Sequence, residues 1–85
     1  MDDETVAIGR RIKAWRERAG KKQNRVALAA MLPTDVLCKI ESGVRRVDAA
    51  EMRRIADALK VSVEDFYRDP PADPDPEPAP DTVTA

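Results

Sequence analysis

Two short stretches with helical periodicity, about Gln23 to Ala30 and Thr34 to Ser42, are separated only by Met31-Leu32-Pro33. Given that periodicity, so short a connection makes two small helices pack directly on one another. The second stretch, with Leu37 and Ile40 inward, stops at Gly43, the residue that most readily takes the left-handed conformation ending a helix. Neither stretch is long enough to be stable alone. The rest of the chain must therefore supply the surface on which they pack.

It does so with more helices. A stripe of Ile8, Ile12, Trp15 and Ala19 recurs every three or four residues and ends at Gly20, predicting a helix from about Thr5 to Ala19. The helix from about Gln23 buries Val26, Ala27 and Ala30. Asp48-Ala49-Ala50-Glu51 has capping-box spacing and opens a helix burying Met52, Ile55, Ala56 and Leu59. Ser62 and Asp65 repeat that spacing and open a fifth helix that buries Val63 and Phe66. Pro70 and Pro71 end it. The expectation is an all-α domain of five helices over residues 5–68, with no strand and no internal repeat.

Residues 69–85, DPPADPDPEPAPDTVTA, hold six of the seven prolines and nothing larger than valine. Such a segment buries too little apolar surface to offset chain entropy, so the sequence predicts a disordered, partly polyproline-II acidic tail. The chain's net charge of −1 averages these two unlike parts. Residues 1–68 carry 15 bases against 11 acids, a net +4, and residues 5–60 carry 14 against 6, a net +8. The tail carries five acids and no base. A basic body of this kind favours a polyanionic partner.

Several function classes are excluded on composition. At 85 residues the chain makes one domain, with a core too small for an ordinary enzyme pocket. No nucleophile sits beside a base in a recognisable motif, so no catalytic residues are assigned. With no histidine and a single cysteine, Cys38, neither an internal disulfide nor a His/Cys metal site can form. No cofactor is implied. The N-terminus is acidic and lacks an apolar signal region, and the longest apolar run, Val26 to Leu32, is far short of a membrane span. A cytoplasmic protein without membrane attachment is expected.

From about residue 6 to residue 67 the chain resembles the Cro/lambda-repressor-like helix-turn-helix proteins, the xenobiotic-response-element family. The resemblance rests on the order and spacing of IGRRIKAWRERAG, Gln23 three residues after Gly20, LCKIESG, and MRRIADALKVSVEDFY. It implies a sequence-specific regulator that places its third helix in the major groove of double-stranded DNA, as a homodimer on an operator-like palindrome. Carried over by position, the base-facing residues are Thr34, Asp35, Val36, Cys38 and Lys39. Lys39 can donate to guanine O6 and N7, and Asp35 can accept from a cytosine amine. Lys21, Lys22, Gln23, Arg25, Arg45 and Arg46 are the expected phosphate contacts. Arg16 and Glu41 fall where the family forms a partly buried ion pair between the first and third helices.

The chain departs from the family pattern at several of these positions. Lys22 stands where a hydroxyl residue usually caps the second helix, and Lys21 where the family has an apolar residue. Met31 replaces the glycine of the turn, and Pro33 opens the third helix without a capping side chain. Asp35, Val36 and Cys38 make the expected reading surface mixed acidic and apolar. That mixture keeps an alternative open: a protein-binding antiactivator or adaptor whose third helix docks on another regulator. Cys38 is read as a small side chain in place of serine, and Trp15 as core.

Overall fold

The structure is a computed structural model, and it describes residues 2–71. Four α-helices follow one another: α1 (Asp3–Arg18), α2 (Gln23–Ala29), α3 (Thr34–Glu41) and α4 (Ala49–Leu59). A short 3-10 segment, Val63–Tyr67, follows them, and no strand occurs among the described residues. The expected fifth α-helix is therefore a 3-10 turn. Only ten residues separate α4 from Pro70, and they include β-branched Val61 and Val63, too short and too stiff a run to nucleate an α-helix. Asp65 still closes the segment's start by accepting from the Ser62 amide at 3.0 Å. Residues 72–85, most of the expected acidic tail, lie outside the described residues.

The core is a single cluster in which Ile12, Leu37, Ile40, Ile55 and Phe66 are essentially inaccessible to water. α3 packs on both α1 and α2, α4 covers α2, and the 3-10 segment closes the far side of α1. Trp15 belongs to this closure. Its indole Nε1 donates to the carbonyl oxygens of Asp65 and Arg68 at 2.9 and 3.1 Å, so the one polar atom of a buried ring is satisfied. Ala19, expected on the buried stripe of α1, is exposed, because it caps a helix that has already ended at Arg18. At the other end α1 begins at Asp3, two residues before the expected start at Thr5, and Asp2 caps it by accepting from the Thr5 amide at 2.7 Å.

All four helices end alike. The residue after the last turn is left-handed, and its successor's amide reaches back to a carbonyl five residues earlier: Lys21 to Arg16, Leu32 to Ala27, Val44 to Lys39 and Val61 to Ala56. At Gly20 and Gly43 this conformation costs little, with φ of +71° and +84°. At Met31 and Lys60, with φ of +60° and +61°, the same turn is made by residues carrying a Cβ, at about 1 kcal/mol each or somewhat more.

A third glycine acts by absence of bulk. Gly9 faces α3 so closely that a Cβ there would lie 2.0 Å from the Ile40 carbonyl oxygen. This contact fixes how deeply α3 seats against α1. Gly9→Ala is expected to lower stability by about 1–3 kcal/mol in denaturant melts, since two backbones must separate. Met31→Gly is expected to raise it by about 0.5–1 kcal/mol, because it relieves the left-handed strain and removes a side chain that is 74% exposed. A loss of stability in Met31→Gly would contradict the second assignment.

Candidate nucleic-acid interface

α3 ends on a buried acid. On a helix whose inward face is Leu37 and Ile40, Glu41 is turned inward too, and a carboxylate there needs partners. Arg16 of α1 supplies a fork: its Nε donates to Glu41 Oε2 at 2.7 Å and its Nη2 to Oε1 at 3.1 Å. Glu41 Oε1 also accepts from Gln23 Nε2 at 2.9 Å, and Arg16 Nη1 donates to the Lys21 carbonyl at 2.8 Å. The Arg16 and Glu41 side chains are only 11% and 3% exposed. The hydrogen bond to Glu41 holds the guanidinium pKa above its ordinary value. One carboxylate thus joins α1, the turn after it, the first residue of α2 and the last turn of α3.

The turn between α2 and α3 is held from behind as well. Arg54 of α4 donates its Nε to the Ala30 carbonyl at 2.7 Å, satisfying an oxygen at the end of α2 that has no partner within the helix. Neither α2 nor α3 has a capping side chain at its start. Lys22 and Pro33 occupy those positions and accept nothing from the first-turn amides.

With α3 fixed at both ends, its outward face carries Thr34, Asp35, Cys38 and Lys39, all exposed. Val36 does not share that face fully. It is half-buried and packed against the core, less exposed than expected from the sequence. Helical spacing also adds a residue that the sequence reading missed. Ser42 lies four residues after Cys38 and seven after Asp35, is exposed, and donates its hydroxyl to the Lys39 carbonyl at 3.2 Å. It was read as the last residue of the third helix, before the stop at Gly43, and was not counted among the base-facing positions.

The basic residues divide by whether they already hold an acid. Arg45 binds Glu51 with both terminal nitrogens, at 2.9 and 3.1 Å. Glu51 also accepts from the Asp48 amide at 3.1 Å while Asp48 accepts from the Glu51 amide, so Arg45 braces the loop into α4. Arg46 meets Asp2 at 2.7 Å in an exposed pair, which water weakens and a phosphate could replace at small cost. Gln23 is half-buried and tied to Glu41, with one amide hydrogen left over. Lys21, Lys22 and Arg25 are exposed and form no ion pair among the described residues. They line a groove of about 610 Å³ at the start of α2 together with the apolar Val26, Leu28, Ala29 and Ala58.

A helix-turn-helix domain family model matches residues 7–66, most of the chain, from within α1 to within the 3-10 segment, so the match spans α2, α3 and α4 whole. The chain belongs to the helix-turn-helix domain family. Its arrangement is that of the Cro/lambda-repressor-like proteins. Among solved structures it is similar to the restriction-modification controller protein C.AhdI from Aeromonas hydrophila, with a TM-score of 0.74 and 23% identity, over 76% of this chain and 98% of that one. It is also similar to the clp gene regulator ClgR from C. glutamicum, with a TM-score of 0.74 and 22% identity, over 79% of this chain and 87% of that one. At these identities the likeness is one of fold. No curated protein matches the chain in sequence. No helix among the described residues is long and apolar enough to cross a membrane.

Two outcomes test this framework. Glu41→Ala should destabilise the domain by about 2–4 kcal/mol, because it leaves Arg16 and Gln23 without their acceptor inside the protein. A loss below about 0.5 kcal/mol in denaturant melts would remove the ion pair from the account. The second outcome concerns acid. Arg45, with the Asp48 amide, holds the Glu51 carboxyl below its ordinary 4.5 against the opposing effect of burial. A lowered carboxyl pKa stabilises the fold above the unfolded value, and that contribution is lost as pH falls through the folded one. Stability should therefore decline below about pH 4.5, and Glu51→Gln should flatten part of that decline. An unchanged acid limb would refute the assignment.

Proposed function

We propose that this protein is a sequence-specific DNA-binding transcription regulator, acting in the cytoplasm, that lays α3 in the major groove. The observation that carries the reading is the outward face of α3, exposed and seated by hydrogen bonds on its inner side, flanked at the start of α2 by three cations that form no ion pair among the described residues. Base edges would be read by Thr34, Asp35, Cys38 and Lys39, with Lys39 donating to guanine and Asp35 accepting from a cytosine amine. Cys38 offers a small apolar surface to a thymine methyl. Lys21, Lys22 and Arg25 would meet phosphates on one side and Arg46 on the other, while Gln23 would use its spare hydrogen. Arg45 contributes least, since its donors already serve Glu51.

The protein would read a palindrome as a homodimer. A groove of mixed character beside α1, α4 and the 3-10 segment, where Ile8, Met52, Val63 and Tyr67 lie beside Glu4 and Arg46, is a surface that a second copy could cover. The alternative, docking of α3 on another regulator, is the weaker reading, because Val36, its anchor, is half-buried against the protein's own core.

Two substitutions separate reading from holding. Lys39→Ala should cost about 1–3 kcal/mol and relax preference at one base pair. Lys22→Thr should move two readouts in opposite directions. It supplies the missing cap and raises stability by about 0.5–1 kcal/mol, yet it weakens binding to every duplex and makes the salt dependence shallower. Uniformly weak binding, roughly 10⁻⁴ to 10⁻⁶ M whatever the sequence and unchanged by Lys39→Ala, would reject the sequence-reading role.

A further inference from the structure

The groove at the start of α2 is lined by apolar residues and by three cations, and nothing in the described residues covers it. Leu28 is 73% exposed on its edge, and Lys21, Lys22 and Arg25 form no ion pair among the described residues. We propose that the acidic segment 72–85 of the same chain docks in this groove and competes there with nucleic acid. The competition rests on the DNA-binding role proposed above; the docking does not.

Three observations point to this occupant. The first is charge: the segment carries Asp73, Asp75, Glu77 and Asp81 with no base, against three cations that form no ion pair among the described residues. The second is composition. Prolines at 74, 76, 78 and 80 alternate with those residues, so apolar rings suited to Leu28, Ala29 and Ala58 come interleaved with carboxylates suited to the cations. A proline-rich sequence also favours an extended form beforehand, which reduces the entropy lost on docking.

The third observation is path and reach. Asp69 is already drawn onto α1 by Arg10 and Arg11, at 3.5 and 3.2 Å. From Arg11 to Gly20 on the groove's edge is about 14 Å along the helix at about 1.5 Å per residue. Residues 72–85, at about 3.1 Å each when extended, span up to about 43 Å. The acids therefore reach the cations with chain to spare, and tethering keeps their local concentration near the millimolar range.

A docked segment lowers apparent DNA affinity by the fraction of time the groove stays open. Occupancy of about four-fifths weakens binding about fivefold. Because the attraction is between solvent-exposed charges, it fades as the screening length shortens from about 30 Å at 0.01 M salt to about 8 Å at 0.15 M.

The test uses the full chain with Asp73→Asn, Asp75→Asn, Glu77→Gln and Asp81→Asn combined. Amide spectra of this variant and the parent at low salt should differ at residues 20–29 and 58, at any protein concentration, and converge as salt is added. Superimposable low-salt spectra would overturn the docking, and differences that grow with protein concentration would assign the contact to a second copy instead. On a random-sequence duplex at low salt the variant should bind about fivefold more tightly than the parent. Equal affinities alongside the spectral differences would overturn the competition. If neither chain bound DNA, the regulator reading would fail and the spectra alone would decide the docking.

Discussion

The carboxylate of Glu41 is the point on which this small domain turns. It receives the guanidinium of Arg16 from α1 and the amide of Gln23 from the start of α2, at 2.7–3.1 Å. A buried ion pair is a weak source of net stability, since apolar side chains of similar size often do as well. What it supplies is register. A carboxylate bound on both oxygens fixes the rotation of α3 about its axis, and Gly9 against the Ile40 carbonyl fixes its depth. Arg54 on the Ala30 carbonyl then holds the turn before α3. The outward face of α3 is consequently set by contacts on its inner side, none of which a ligand has to form.

The basic residues serve two purposes, and the chemistry of each type matches its use. Arg16, Arg45 and Arg54 carry a planar fork with several fixed donors, and each uses it within the fold on a carboxylate or a carbonyl. Lys21 and Lys22 are mobile point charges without an acid among the described residues, and Arg25 shares their position at the start of α2. Lys22 shows the tension most plainly. A hydroxyl there would cap the helix, whereas a lysine leaves the first-turn amides open and places a cation at the positive end of the dipole. The domain gives up stability at a position where charge favours a polyanion, the pattern expected of a binding surface.

Much of the fold was legible because it depends on local chemistry. Apolar periodicity located α1 to α4, Asp48 and Glu51 marked the start of α4, and Gly20 and Gly43 marked two helix ends. The end of α4 at Lys60 was not legible, because an identical left-handed turn is there made by a residue without glycine's freedom. The 3-10 segment was read as a fifth helix because its spacing fits either form over five residues. At the interface the exposed charges of α3 were visible, but the partial burial of Val36 and the exposure of Ser42 were not, as both depend on where the helix rotates against the core. Nor could the sequence say which arginines already hold an acid, since partners such as Glu51 and Asp2 are brought near only by the fold.

In the proposed function α3 reads base sequence while the cations around it supply affinity without sequence. Selection of bound duplexes from a random-sequence pool at physiological salt tests it most directly. The account predicts enrichment of an inverted repeat with half-site centres about 10 base pairs apart, containing G·C pairs where Lys39 and Asp35 meet the groove. A bound pool indistinguishable from the input, from a protein that still retains duplex in a salt-dependent way, would contradict it: the fold would then hold DNA without reading it.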